Sequence, residues 1–137
     1  MLKRNGINSL KKATKFTQEL IVQSQGRKWI LKKSFDFYYI NKFGKKLNKV
    51  TIPKGFITDF ASTPRVLYSI FPPIGIYNKA TLVHDYLYSK KCELDVSRFN
   101  ADLYFLQAME VLGVKKWKRI IMFATVRLFG KSYFKVR

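Results

Sequence analysis

All four prolines of the chain fall between Pro53 and Pro73. Proline locks φ and has no N–H to donate, so neither a central strand nor a helix interior can run through this stretch. It therefore divides the chain. Ahead of it lie runs rich in aromatic and β-branched residues, the composition of strands. Behind it lie runs with capping residues and apolar positions three and four apart, the pattern of helices. The expected fold class is α+β, with a small antiparallel sheet in the N-terminal half followed by three to four helices. At 137 residues the chain is expected to form one domain, residues 16–137, behind a flexible basic arm over residues 1–15.

Within the first half, Phe16 to Val22 predicts a strand and Gln25-Gly26 a turn. Trp29 to Leu31 begins a second strand, and Phe35 to Ile40 either continues it or starts another. Asn41 to Lys46 then reads as a hairpin loop, with Gly44 as its positive-φ residue. Leu47 to Ile52 returns as the partner strand, with Leu47, Val50 and Ile52 as expected core positions. Pro53-Lys54-Gly55 is a turn leading into the extended run Phe56 to Thr58.

Past Asp59, Ser62 or Thr63 can cap a short helix from Pro64 to Ile70. Asn78 is the expected cap of a helix running to Ser89. Ser97 caps the next, through Leu112, stopped by Gly113. Lys115 to Leu128 is the last, with Trp117, Ile120, Ile121, Ala124 and Leu128 on one side.

Charge is the strongest compositional signal. Twenty-seven Lys and Arg stand against eight Asp and Glu, a formal net charge of +19. Such a field attracts nucleic acid, anionic lipid or an acidic protein surface, and does not choose among them. The single cysteine, Cys92, excludes an internal disulfide and gives no zinc-knuckle spacing. No apolar run approaches the roughly 20 residues needed to cross a bilayer, and the basic start lacks an apolar signal core. A cytoplasmic location, or encapsulation in a particle, is expected.

The acids are scarce, and four of the five aspartates (Asp59, Asp85, Asp95 and Asp102) share one stretch with the lone histidine, His84. Adjacent helical residues diverge by about 100°, so His84 and Asp85 face different neighbours. Tyr88, four residues on, shares the face of His84. Asp102 lies on the following helix, which a short connection makes antiparallel, so a contact between His84 and Asp102 is geometrically easy. A carboxylate on one imidazole nitrogen fixes the tautomer and leaves the other to take a proton from water. Asp85 and Asp59, with backbone carbonyls of the loop around Gly75, can hold a hard cation such as calcium, which prefers oxygen ligands. The same residues also fit a plain structural network. In that case Asp102 pairs with Arg65 or Arg98, and Asp59 bonds the backbone of a turn.

Two resemblances attach to these residues. Ile52-Pro53-Lys54-Gly55-Phe56-Ile57-Thr58-Asp59-Phe60-Ala61-Ser62-Thr63-Pro64-Arg65, His84-Asp85-Tyr86-Leu87-Tyr88, Ala101-Asp102 and Val126-Arg127-Leu128-Phe129-Gly130 resemble a family of short bacteriophage and prophage proteins known only as a domain of unknown function. That resemblance implies a phage or prophage source and no mechanism. Locally, His84-Asp85-x-x-Tyr88 followed by Ala101-Asp102 resembles the helix pair of secretory-type phospholipases, including the disulfide-free version in parvovirus capsids. It implies His84 as general base, Asp85 as calcium ligand and Asp102 as the acid that orients the histidine. Ile74-Gly75-Ile76 stands where the calcium loop lies in those enzymes, though with fewer glycines and behind Pro72-Pro73.

Two classes of function remain open at this point. One is a calcium-type hydrolase acting on membrane lipid or cell envelope, with His84, Asp102 and Tyr88 at its centre and Asp85, Asp59 and Gly75 on the metal. The other is a non-enzymatic basic virion or accessory protein that binds nucleic acid, other virion proteins or an acidic partner, a host enzyme included. Basic residues interleaved with aromatics, as in Trp117-Lys118-Arg119, suit the second.

Overall fold

The structure, a computed structural model, describes residues 15–16, 19–41, 45–58 and 76–136. The expected basic arm before Lys15, the hairpin glycine Gly44, the helix from Pro64 to Ile70 and the Pro72-Pro73 loop lie outside these residues.

The strand half and the helical half are both present, and the fold is α+β. The strands form two three-stranded antiparallel sheets where one was expected. In the first, β1 (Lys15–Phe16) and β5 (Lys46–Ile52) flank β4 (Phe35–Asn41). In the second, β3 (Lys28–Leu31) lies between β2 (Val22–Gln25) and β6 (Ile57–Thr58). The bend at Lys32–Ser34 separates them, because it carries the chain out of one ladder before Phe35 begins the next. The expected strand from Phe16 to Val22 is divided the same way: its first residue pairs in one sheet and its last in the other.

β4 and β5 form a long hairpin in register from Phe35 opposite Ile52 to Asn41 opposite Lys46. Side chains alternate across a strand, so Phe35, Phe37 and Tyr39 enter the core together, as do Val50 and Ile52. Leu47 is exposed, against expectation. It is three residues from Val50 and so points to the opposite face of the pleat. Lys45 holds the left-handed conformation next to the hairpin tip, at φ 49°.

Three helices follow among the described residues: α1 (Asn78–Tyr88), α2 (Arg98–Val111) and α3 (Lys116–Phe129). Asn78 does not cap α1; Tyr77 holds that position, and the Thr81 N–H closes the first turn on its carbonyl at 3.0 Å. Ser97 caps α2, its hydroxyl accepting from the Asn100 N–H at 3.1 Å. Gly113, at φ 80°, ends α2, with Gly113 N–H donating to Glu110 and Val114 N–H to Met109. That pair of bonds satisfies carbonyls the helix leaves unpaired.

The core joins the halves. Leu31, Phe35, Phe37 and Ile52 from the strands meet Leu82, Val83, Leu87, Phe105 and Met109 from α1 and α2. Gln107 of α2 fixes the docking: its amide accepts from the Ile40 N–H at 2.9 Å and donates to the Ile40 carbonyl at 3.0 Å. α3 turns Met122, Thr125 and Val126 inward. The stripe of Trp117, Ile120, Ala124 and Leu128 lies on its solvent side, with Ile121 partly buried between the two faces.

Candidate active site

α1 and α2 are antiparallel, since Tyr88 meets Asp102 while the earlier His84 also stacks on the later Phe105. His84 Nε2 lies 2.7 Å from Asp102 Oδ1. The Tyr88 hydroxyl donates to the same oxygen at 2.6 Å. Arg127 reaches across from α3, and its Nη1 donates to Asp102 Oδ2 at 2.7 Å. The expected contact and the shared face of His84 and Tyr88 are both present. Arg127 is the guanidinium on Asp102, in place of the Arg65 or Arg98 that sequence reading offered. Arg65 lies outside the described residues. Arg98 donates instead to the carbonyls of Val126 and Arg127 at the end of α3, at 2.8 and 2.5 Å, where a cation complements the helix dipole.

His84 is 2% exposed and Asp102 0%. Burial alone pushes the Asp102 carboxyl up, but the hydrogen bonds from His84, Tyr88 and Arg127 outweigh it and hold the group below the usual carboxylate value. Asp102 is therefore ionised and acceptor-only, so Nε2 of His84 carries the proton between them. The ring packs at a tilt against both Tyr88 and Phe105, with centroids 4.1 and 4.6 Å away. Burial, then the neighbouring Asp102, pushes the Tyr88 phenol well above its ordinary value, so Tyr88 remains a donor.

The C-terminal segment closes this end of the site. Phe134 packs edge-on against Tyr88 at 5.1 Å, and the Lys135 N–H donates to the Tyr88 carbonyl at 2.6 Å. Gly130 passes so close that a Cβ there would stand 2.8 Å from the Tyr88 hydroxyl. The end of α3 thus meets both members of the Tyr88–Asp102 pair, Arg127 at Asp102 and Gly130 at Tyr88.

Asp85 diverges from His84, as adjacent helical positions must, and accepts a hydrogen bond from the Thr58 hydroxyl of β6. Thr58, buried at the end of the second sheet, ties that sheet to α1 and was not singled out from sequence. The other two expected calcium ligands, Asp59 and Gly75, lie outside the described residues. No cluster of three ligating His, Cys, Asp or Glu side chains occurs among the described residues. Asp85 offers carboxylate oxygen, the donor type a hard cation takes.

These features define an α+β protein built around a histidine–carboxylate pair shared by three helices. The chain matches the family of proteins of unknown function designated DUF1353 over residues 29–126, and it belongs to that family. An uncharacterized protein of Sinorhizobium fredii, y4jT, is 34% identical over 104 residues, covering 73% of this chain and 29% of that protein. The chain thus corresponds to less than a third of that relative's length. No solved structure matches.

Proposed function

We propose that the protein is a phage or prophage hydrolase in which His84 is the general base, acting on an ester or similar bond of membrane lipid or cell envelope. The observation that supports this reading is the bond between His84 Nε2 and an ionised, fully buried Asp102. It fixes the tautomer and makes Nδ1 the nitrogen that can accept a proton. Nδ1 takes the proton of a water as its oxygen adds to the carbonyl carbon, and returns it to the leaving oxygen as the ester bond breaks. Tyr88 and Arg127 hold Asp102, and Tyr88 and Phe105 hold the ring plane. A calcium ion held by Asp85, with Asp59 and the Gly75 carbonyl as further oxygen donors, would supply stabilisation of the developing oxyanion.

A second reading is supported by the closure of the same group, since His84 is 2% exposed and every Asp102 oxygen is occupied. Here the network is the polar anchor of a non-enzymatic basic protein that binds nucleic acid or an acidic partner. One experiment separates the two. Wild type, His84→Ala and Asp85→Asn are assayed on phospholipid and envelope esters with and without calcium, alongside calcium calorimetry. The hydrolase reading expects turnover that His84→Ala abolishes with the helical signal retained, and calcium binding that Asp85→Asn loses. A fully active His84→Ala protein would sink it.

A further inference from the structure

α3 is apolar on two opposite sides. Met122, Thr125 and Val126 face the core. Trp117, Ile120, Ala124 and Leu128 fall within roughly 80° of arc on the other side, at about 100° per residue. Trp117 is 51% exposed, Ile120 54% and Leu128 74%. An apolar face of this size on a charged protein marks a surface that is covered in use. Its surroundings say by what. From residue 111 to 137 there are eight Lys and Arg and no Asp or Glu. Lys115, Lys116 and Lys131 are exposed around the stripe, and the Lys118 ammonium lies 5.5 Å from the Trp117 ring centroid.

We infer that this face of α3 seats the protein on an anionic lipid bilayer, with the helix lying in the plane of the interface. Leu128 and Ile120 enter the acyl boundary, Trp117 sits at headgroup level, and the lysines contact the anionic headgroups. The charge argues against the other occupants. A second copy would press one all-basic helix against another, and like charges facing each other disfavour the pair. Nucleic acid would satisfy the lysines but leave Ile120 and Leu128 against phosphate and sugar. The inference deepens the lipid reading by naming the docking surface. It rests on that reading only for the identity of the substrate, because binding to a vesicle needs no turnover.

The test is flotation with vesicles of equal phosphatidylcholine and phosphatidylglycerol, compared with phosphatidylcholine alone. Wild type should float with the anionic vesicles and scarcely with the neutral ones. The Trp117→Ser/Ile120→Ser/Leu128→Ser variant should lose at least roughly tenfold in partitioning, since the charge remains but the buried apolar area is gone. Far-ultraviolet circular dichroism checks that this variant is folded. Independently, Trp29→Phe leaves Trp117 as the sole tryptophan, and its emission should shift to the blue on adding anionic vesicles. Absence of vesicle binding, equal binding by the folded triple variant, or an unshifted Trp117 emission would each overturn the inference. A concentration-dependent dimer that the triple variant abolishes would assign the face to a second copy. His84→Ala should float as wild type does whatever its activity, so failure of the hydrolase reading would be seen separately.

Discussion

Asp102, on α2, takes donors from the two other helices: His84 and Tyr88 of α1 on Oδ1, and Arg127 of α3 on Oδ2. Because these bonds hold the folded carboxyl below its usual value, the charged group stabilises the fold above the ordinary carboxylate pKa of about 3.9. That contribution disappears as pH falls through the lower folded-state value. Asp102→Asn should therefore flatten the acid side of the stability profile. It should also cost about 1–3 kcal/mol at neutral pH, because an amide cannot accept from all three donors and leaves one buried and unpaired. Urea unfolding across the acid range reads both effects. An acid limb as steep as in wild type would show that Asp102 is not what titrates.

Between elements, Gly130 meets Tyr88 with no room for a methyl group. Gly130 has an ordinary negative φ of −78°, so it is needed for space and not for backbone freedom. Gly130→Ala should push the Tyr88 hydroxyl off Asp102 or move the end of α3, costing about 1–3 kcal/mol as overpacking does. Tyr88→Phe removes the nearest atom, leaving ring carbon Cε2 at 3.1 Å from the added methyl. The two changes should therefore be less than additive, and chemical denaturation of the four proteins in the cycle measures the coupling. Strict additivity would mean that the glycine and the tyrosine do not sense each other. The His84–Asp102 half of this cluster was legible in sequence, because i, i+4 spacing and a short antiparallel connection are local. So were Ser97 and Gly113 at the ends of α2. Arg127 and Gly130 were not, since 25 residues and a third helix separate Arg127 from Asp102, and no spacing rule spans that distance. Leu47 was misplaced although strand parity excludes it from the face of Val50. In α3, periodicity reveals an apolar stripe but not which side of the helix meets the core, and here the inner side is made of Met122, Thr125 and Val126. Thr58 carried no signal before β6 brought it to Asp85.

For the molecule as a whole, the net charge of +19 acts on every element at once. The ion pair that Arg127 makes with Asp102 converges on the carboxylate that His84 also shares. With 27 Lys and Arg against eight Asp and Glu, most of the cations cannot each have an acid of their own. Self-repulsion of this kind raises the free energy of the compact state relative to the expanded chain, where the same charges lie farther apart. Salt weakens it, because the Debye length falls from about 30 Å at 0.01 M to about 8 Å at 0.15 M. The paired carboxylate of Asp102 is buried and is screened much less over the same range. The melting temperature should then rise as sodium chloride is added from low to physiological concentration, as scanning calorimetry at neutral pH can follow. A fall would mean that attractive pairs outweigh the repulsion. The same screening works in the opposite direction on partners. Whatever anionic surface the protein meets, the electrostatic part of that binding should weaken over the salt range in which the fold becomes more stable. A partner held by the exposed side of α3 should retain the share contributed by Trp117, Ile120 and Leu128, whereas one held by charge alone should be lost.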